Sequence, residues 1–265
     1  MGQRFSFGFL GAAKSKSTDA NNNAKKPKKC THVIFDLDGT LIDSEEAYFN
    51  LQVACMRKFG KDFTIEQKRA LLGHTTEEEV RELLRMNQLE DVVTVSDYLK
   101  MYEEMYPHYL SDCVELPGAE RLIAHLHAAR IPMAINTNSR AEHFEIKMRK
   151  RFAHWLQMIP LNVFAASDPE VKRPKPAPDS YLLTMQRFEE RPESAAHCLV
   201  FEDSFTGARA AIDAGCTVIL VPQSGFCNSM EMEAQIEKLR PQLAAVLPSL
   251  RDFAPQLFGL PAFKN

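Results

Sequence analysis

The sequence lacks the features that mark membrane proteins, disulfide-rich proteins and nucleic-acid-binding proteins. None of its apolar runs reaches the roughly 20 residues that a membrane-spanning helix needs. Its 265 residues carry a formal net charge of −3, so no excess of one sign indicates a nucleic acid as partner. The six cysteines show neither a C-x-x-C pair nor a metal-finger spacing, which favours free thiols in a reducing compartment, here the cytoplasm. With 45% hydrophobic residues, the chain is globular and can hold one large domain or a core with an insertion.

The first 29 residues differ from the rest in composition. They include three consecutive asparagines and the basic cluster 25–29, with Asp19 as their single acid. Such a segment buries too little apolar surface to offset its ordering entropy, so we predict a disordered basic tail over 1–29. Its start also fits the pattern for myristoylation of Gly2, with Ser6 at the required position. Membrane association through an acyl chain and the basic cluster is therefore one alternative, beside a plain tail or a transit peptide.

The most informative stretch is a short apolar strand that ends in two acids. Residues 33–35 (Val-Ile-Phe) favour a buried strand, and Asp36 and Asp38 follow, ahead of Gly39 and Thr40. Residues two apart in a strand point to the same side, so both carboxylates can face one point where the strand ends. They repel one another there unless a cation or a shared proton offsets the charge. Paired acids are also common in solvated turns, so the other strand ends decide whether this is a site.

From Pro117 onward, apolar runs alternate with segments of helical spacing. The predicted strands are 131–135, 162–165, 198–201 and 218–221, and the predicted helices are 119–130, 140–156, 178–188, 206–214 and 232–247. Buried strands separated by helices predict an α/β fold, with a Rossmann-like parallel sheet covered on both faces. Ligands bind such sheets beyond the carboxyl ends of the strands.

The segment between the first strand and this alternating region has a helical pattern throughout. The predicted helices are 45–59 with Ser44 as N-cap, one that begins at Thr76, and 95–109. We therefore predict an all-helical insertion over 47–115, between residues 30–46 and 116–265 of one core domain.

Polar residues follow the predicted strands of the core. Asn136-Thr137-Asn138-Ser139 follows the second strand, a loop with Lys175 follows the third, and Glu202-Asp203 follows the fourth. Hydroxyl, amide and ammonium groups suit phosphate oxygens, and carboxylates suit a metal ion. Each short motif alone is ordinary loop chemistry. Their convergence on one edge of a sheet favours a functional site.

These residues resemble the four motifs of the haloacid dehalogenase (HAD) superfamily of phosphatases with a helical cap. The matching stretches are Asp-Leu-Asp-Gly-Thr at 36–40, Thr137, Lys175 and Phe-Glu-Asp-Ser-Phe-Thr-Gly at 201–207. Further stretches at 168–171, 198–203 and 250–261 look like those of the pseudouridine-5'-phosphatase-like members. Two positions depart from the family pattern: Pro174 stands where glycine is usual, and Asn138 where a smaller residue is usual.

The resemblance implies a Mg²⁺-dependent phosphomonoester hydrolase that acts through an aspartyl-phosphate. It makes Asp36 the nucleophile and Asp38 the general acid and base. It makes Thr137, Asn138 and Lys175 the phosphate-binding residues. The implied Mg²⁺ ligands are Asp36, Asp38 through its backbone carbonyl, Asp203 and, nearby or in the next layer, Glu202. The resemblance also makes the helical insertion over 47–115 a cap domain, and its loop with Gly73, His74 and Thr75 lies where such caps place a substrate-specificity loop.

We accordingly expect a monomer that acts on a small-molecule phosphomonoester, with pseudouridine 5'-phosphate as one candidate. One alternative is a sugar phosphomutase on the same scaffold, which returns the phosphoryl group to a sugar and not to water. Another is a membrane-tethered binding protein with a vestigial site, although the intact set Asp36, Asp38, Lys175 and Asp203 argues against it.

Overall fold

The computed structural model of the chain describes residues 29–71, 76–223 and 229–264. The predicted tail up to residue 28, with Gly2, and the predicted cap loop with Gly73, His74 and Thr75 lie outside these ranges. The strands are β1 His32–Phe35, β2 Ile42–Asp43, β3 Val114–Glu115, β4 Met133–Thr137, β5 Leu161–Phe164, β6 Cys198–Glu202, β7 Thr217–Leu220 and β8 Ala245–Val246. The α-helices are α1 Glu45–Arg57, α2 Ile65–Leu71, α3 Thr76–Met86, α4 Val95–Leu110, α5 Ala119–Ala128, α6 Ala141–Met148, α7 Ala153–Met158, α8 Asp179–Arg187, α9 Phe205–Asp213 and α10 Ser229–Leu239.

A six-stranded parallel sheet forms the centre of the structure and confirms the α/β prediction. Its strand order is β5-β4-β1-β6-β7-β8, and every neighbouring pair is parallel. Strand β1 lies between β4 and β6, with Phe35 opposite Ile135 on one side and Phe201 on the other. The first strand of the sequence is therefore a central strand, and its carboxyl end has neighbours on both sides.

Apolar side chains on both faces explain why β1 and β6 are central. Val33 and Phe35 pack into one apolar cluster, whereas Ile34 packs into the cluster on the opposite face. Phe35 also stacks on Phe201 of β6, with 5.3 Å between the ring centroids. Since side chains alternate between the two faces of a strand, a continuous apolar run is what a sheet covered on both faces requires.

Helices α1 to α4 follow one another between β2 and β3, as the helical pattern predicts. Helix α1 packs along α4, and Leu51, Tyr98 and Tyr106 are buried between these helices and their neighbours. The antiparallel pairing of β2 with β3 joins the two ends of this helical segment, with Ile42 opposite Glu115. The division into a cap over 47–115 and a core stays a prediction. No helix within the described ranges is both long and apolar enough to cross a membrane.

Three local predictions are wrong. The predicted helix 140–156 is two helices, α6 and α7, and the break lets Phe152 and Trp155 pack against each other in the core, 4.5 Å apart. The predicted helix 232–247 ends as α10 at Leu239, because Pro241 removes a backbone donor; residues 245–246 instead form β8 beside β7. Ser44 precedes α1 but makes no side-chain cap, since its hydroxyl donates to Asp38 instead.

Candidate active site

The parallel order of the strands brings the predicted site residues to one edge of the sheet. Strands β4, β1 and β6 are neighbours, so Thr137, Asp36 and Glu202 follow or end adjacent strands. A cavity of about 430 Å³ opens at this edge, between the sheet and helices α1, α3 and α4. Six of the predicted site residues line it: Asp36, Asp38, Thr137, Asn138, Lys175 and Asp203. Glu202 is fully buried behind them.

Lys175 joins two of the carboxylates. Its Nζ donates to Oδ1 of Asp36 at 2.7 Å, to Oε1 of Glu202 at 2.6 Å and to the backbone carbonyl of Asn136 at 2.9 Å. The lysine is buried despite Pro174 before it, and burial alone favours the neutral amine. The charges of Asp36 and Glu202 outweigh this effect and raise the pKa of Lys175, so the ammonium stays charged at neutral pH.

Asp36 lies in a strongly anionic, buried environment. Burial raises its pKa to about 7 although Lys175 opposes the shift, and the charges of Glu202 and Asp38 add to the rise. Burial likewise raises the pKa of Asp203 well above its usual range, and the charges of Asp36 and Glu202 raise it further. Single oxygens of Asp36, Glu202 and Asp203 all lie within 4.8 Å of one another. A donor set of carboxylate oxygens with excess negative charge fits a hard divalent cation such as Mg²⁺.

Two glycines leave room for these carboxylates. Gly39 has φ of +83°, and a Cβ there would lie 2.2 Å from Oδ2 of Asp203. At Gly207, a Cβ would lie 2.1 Å from both carboxylate oxygens of Glu202. Helix α9 can thus begin directly against Glu202, whose Oε1 also accepts from the hydroxyl of Tyr181 and whose Oε2 accepts from Ser204 at 3.2 Å.

A second buried lysine, Lys147 of α6, holds the carboxylate of Asp38. Its Nζ lies 2.6 Å from each of the two Asp38 oxygens and 2.7 Å from the hydroxyl of Ser139. Ser44 and Ser139 donate to the same carboxylate at 2.7 and 2.8 Å. Burial by itself raises the pKa of Asp38, but the charge and hydrogen bonds of Lys147 outweigh burial and lower it. The Asp38 carboxylate is therefore ionised and faces Lys147 in this structure.

Sequence reasoning missed Lys147, although a signal for it exists. Phe144, Lys147 and Met148 are spaced by three and four residues on α6, and all three are buried. A lysine on the apolar stripe of a helix is buried only with an anionic partner, because an unpaired buried charge is costly. The sequence therefore contains a hint of a buried ion pair, but no hint that Asp38 is the partner.

Aromatic residues connect this lysine to the helical segment. Lys147 Nζ lies 3.3 Å from the hydroxyl of Tyr48 on α1, which lies 2.9 Å from the hydroxyl of Tyr106 on α4. Tyr106 in turn stacks on the ring of His143, with centroids 3.9 Å apart, and His143 Nε2 lies 2.6 Å from a carboxylate oxygen of Glu103. These contacts join α6 to α1 and α4 across the cavity.

The loop after β4 presents polar groups to the cavity. Thr137 is buried, and its Oγ1 accepts from the backbone N–H of Ser139 at 3.0 Å, which leaves the hydroxyl proton able to donate. Asn138 is exposed at the cavity wall. Both residues therefore lie where they were predicted, at the carboxyl end of a strand beside Asp36.

Comparisons with known proteins agree with this geometry. The model of the haloacid dehalogenase-like hydrolase family matches residues 33–221. Over 239 residues the chain is 35% identical to (DL)-glycerol-3-phosphatase 1, mitochondrial, of Arabidopsis thaliana, covering 89% of this chain and 75% of the relative. It is 34% identical over 238 residues to the probable pseudouridine-5'-phosphatase of Drosophila melanogaster, covering 90% and 97%. The crystal structure of a HAD family hydrolase from Deinococcus radiodurans R1, with bound phosphate and sodium, has the same fold, with a TM-score of 0.68, 24% identity and coverage of 90% and 100%.

Proposed function

The chain belongs to the haloacid dehalogenase-like hydrolase family and is a phosphatase of small phosphorylated metabolites, and we propose that it acts through an acyl phosphate of Asp36, an aspartyl-phosphate. The observation that carries this proposal is the position of Asp36. Its carboxylate lies at the cavity, 2.7 Å from the ammonium of Lys175. A nucleophile beside a fixed positive charge is what attack on an anionic phosphate requires.

We propose that Asp36 and Asp38 carry the chemical steps. A carboxylate oxygen of Asp36 attacks phosphorus, and the ester bond to the leaving alcohol breaks. Asp38, two residues along, donates a proton to the leaving oxygen and later takes one from the water that hydrolyses the aspartyl-phosphate. The ionised Asp38 of this structure, held by Lys147, is the form that acts as base; it must gain a proton before it acts as acid.

We propose that Thr137, Asn138 and Lys175 hold the phosphate. All three line the cavity beside Asp36 and offer hydroxyl, amide and ammonium donors. The buried Glu202 fixes Lys175 through the 2.6 Å contact, so the ammonium is positioned before substrate binds.

We further propose that Asp36, the backbone carbonyl of Asp38, and Asp203 hold Mg²⁺, with Glu202 beside them. The excess negative charge of Asp36, Glu202 and Asp203 fits this group. When bound, Mg²⁺ would offset the repulsion between the carboxylates and the incoming phosphate.

Two substrates are candidates, because two similar relatives are named for different ones. Pseudouridine 5'-phosphate would release pseudouridine as the leaving alcohol, and glycerol 3-phosphate would release glycerol. We propose that the cap, 47–115, covers the cavity and selects between them, since α1, α3 and α4 supply its wall opposite the sheet.

We also propose that the enzyme is a cytoplasmic monomer. Within the described residues, Cys55, Cys113, Cys198 and Cys216 are free thiols, as expected in a reducing compartment. Membrane association through Gly2 and the basic cluster at 25–29 remains a prediction. Labelling of the full chain with a myristate analogue, beside Gly2→Ala, tests it.

The test of function is phosphate release from a panel of phosphomonoesters that includes both candidates, with and without Mg²⁺, for the wild type and Asp36→Asn. We expect metal-dependent release that the variant loses. An isomerised sugar phosphate without free phosphate would identify a mutase. A folded, metal-bound protein that releases no phosphate from any ester would contradict the proposal.

A further inference from the structure

The buried cation Lys147 contacts the active site from outside the cavity. It lies on α6, its side chain is fully buried, and it is not among the residues that line the cavity. Taking an ion pair out of water is costly, and replacing both partners by apolar residues often leaves a protein equally stable or more stable. Stability alone is therefore a weak reason for this lysine. Its contact with a carboxylate that does line the cavity points to a part in the chemistry.

Three side chains hold both carboxylate oxygens of Asp38. Oδ1 accepts from Ser44 at 2.7 Å, Oδ2 accepts from Ser139 at 2.8 Å, and Lys147 Nζ lies 2.6 Å from each oxygen. Lys147 also donates to the Ser139 hydroxyl at 2.7 Å, so it orients one of the two serines as well. The χ2 torsion of aspartate is otherwise broad, and contacts to both oxygens fix the plane of the carboxylate.

The Asp38 carboxylate remains open to the cavity on its other side. Its side chain is 20% exposed and lines the cavity together with Asp36. Ser44 and Lys147, in contrast, are fully buried and do not line it. A carboxylate held by buried donors can therefore meet a water molecule or a substrate without losing its orientation. Such support from behind is how a reactive group is preorganised.

In-line geometry gives this carboxylate a task in the second step of the proposed reaction. The alcohol leaves on the side of phosphorus opposite Asp36, and the water that cleaves the aspartyl-phosphate attacks from that same side. The water oxygen forms its bond to phosphorus while the bond from phosphorus to the Asp36 oxygen breaks, and Asp38 takes the proton that the water loses. Because Asp38 accepts from an ammonium and two hydroxyls, it is ionised and able to take that proton.

On the basis of the proposed function, we infer that Lys147 is a positioning residue for hydrolysis of the aspartyl-phosphate. It fixes the Asp38 carboxylate where the attacking water arrives, and it touches neither the water nor the substrate itself. Rate falls steeply when a base is misplaced, since an error of 1 Å can cost about 10²-fold. Loss of Lys147 therefore slows the second step much more than a first step whose leaving group needs no proton.

The experiment separates the two steps with radiolabelled p-nitrophenyl phosphate, whose leaving anion departs without a proton. Single turnovers of the full chain with Mg²⁺ are quenched in acid, which gives the rates at which the aspartyl-phosphate forms and decays. The variants are Lys147→Met and Ser44→Ala, the second of which removes one donor to Asp38 and keeps the lysine. The matched control is Lys150→Met, an exposed lysine two residues past the end of α6.

We expect Lys147→Met to slow the decay of the aspartyl-phosphate by about tenfold to 100-fold and to leave its rate of formation unchanged. The intermediate should therefore accumulate. Ser44→Ala should show the same pattern with a smaller change, and Lys150→Met should match the wild type. Thermal melting reports the fold of each variant. A Lys147→Met chain that does not fold leaves the decision to Ser44→Ala.

An equal fall in both rates would overturn the inference, because it would show that the lysine only supports the fold. Unchanged decay in a folded Lys147→Met chain would overturn it as well. A failure of the proposed function looks different: the wild type itself would then release no phosphate from any ester and form no aspartyl-phosphate.

Discussion

Replacement of Lys147 by methionine tests whether the buried ion pair between Lys147 and Asp38 contributes to the free energy of unfolding. Lys147 is fully buried, and the side chain of Asp38 is 20% exposed. Removing one partner of a buried ion pair costs about 3–5 kcal/mol, because the other charge stays behind without compensation. Without Lys147, Asp38 can become neutral by taking up a proton. Protonating a carboxylate of ordinary pKa at pH 7 costs about 4 kcal/mol, at 1.36 kcal/mol per pH unit, and this sets an upper limit on the loss of stability.

We therefore expect Lys147→Met to lower the free energy of unfolding by about 3–4 kcal/mol. Asp38→Asn should cost a similar amount, since it leaves the buried ammonium unpaired. The double variant should cost less than the sum of the two, with a coupling of about 2–3 kcal/mol. Urea unfolding of the wild type, the two single variants and the double variant at pH 7 measures all four values. Effects that add to within about 0.5 kcal/mol would show that the contacts carry no net coupling.

The pH dependence gives an independent check on the same pair. The pKa of Asp38 is lowered on folding, so its contribution is present above the unfolded pKa and is lost as pH falls through the folded pKa. The pKa of Lys147 is raised on folding, so its contribution is present below the unfolded pKa and is lost as pH rises through the folded pKa. We expect the stability difference between the wild type and Lys147→Met to be largest near neutral pH and to shrink below about pH 4. A constant difference over this range would contradict the assignment.

Three further predictions concern the other half of the site. Lys175→Met should lower kcat for the best ester by at least about 10³-fold while Lys172→Met, in the same loop but exposed, retains it; equal activities would remove Lys175 from the site. Gly207→Ala should lower stability and activity more than Gly60→Ala, because a Cβ at Gly207 meets the carboxylate of Glu202. At Gly60 nothing lies within 4 Å of the added Cβ, and only backbone strain at φ of +67° costs about 1 kcal/mol. Equal melting temperatures and rates for the two variants would contradict this. EDTA should abolish phosphate release and added Mg²⁺ restore it, and full activity in EDTA would exclude a metal requirement.

The strand ends could be predicted from the sequence because parallel topology converts chain order into position. Once β1, β4 and β6 are assigned as parallel strands, the residues that end or follow them must share an edge, and Asp36, Thr137 and Glu202 do so. The fold class follows in the same way from apolar runs that alternate with helices. Local propensity and the order of the strands along the chain carried this information, and both can be read from the sequence.

The partners of Asp38 could not be predicted, because they depend on how elements face each other. Serine is a preferred N-cap residue and Ser44 precedes α1, yet a tertiary contact directs its hydroxyl to Asp38. Lys147 lies on a helix face whose orientation toward Asp38 is set by packing. Propensity describes the helix on which such residues lie, but it does not give the rotation of that helix about its axis.

The contacts of Lys175 make phosphate binding an exchange of partners. An ammonium has three donors, and Lys175 uses them on Asp36, Glu202 and the carbonyl of Asn136. A phosphate oxygen can gain a hydrogen bond from this lysine only if one of the three oxygens gives it up. If Asp36 is the partner that is exchanged, the affinity for inorganic phosphate measures how much more strongly Lys175 binds phosphate than it binds the Asp36 carboxylate. Asp36, freed from Lys175 in that exchange, would have its attacking oxygen unengaged at the moment when phosphate arrives.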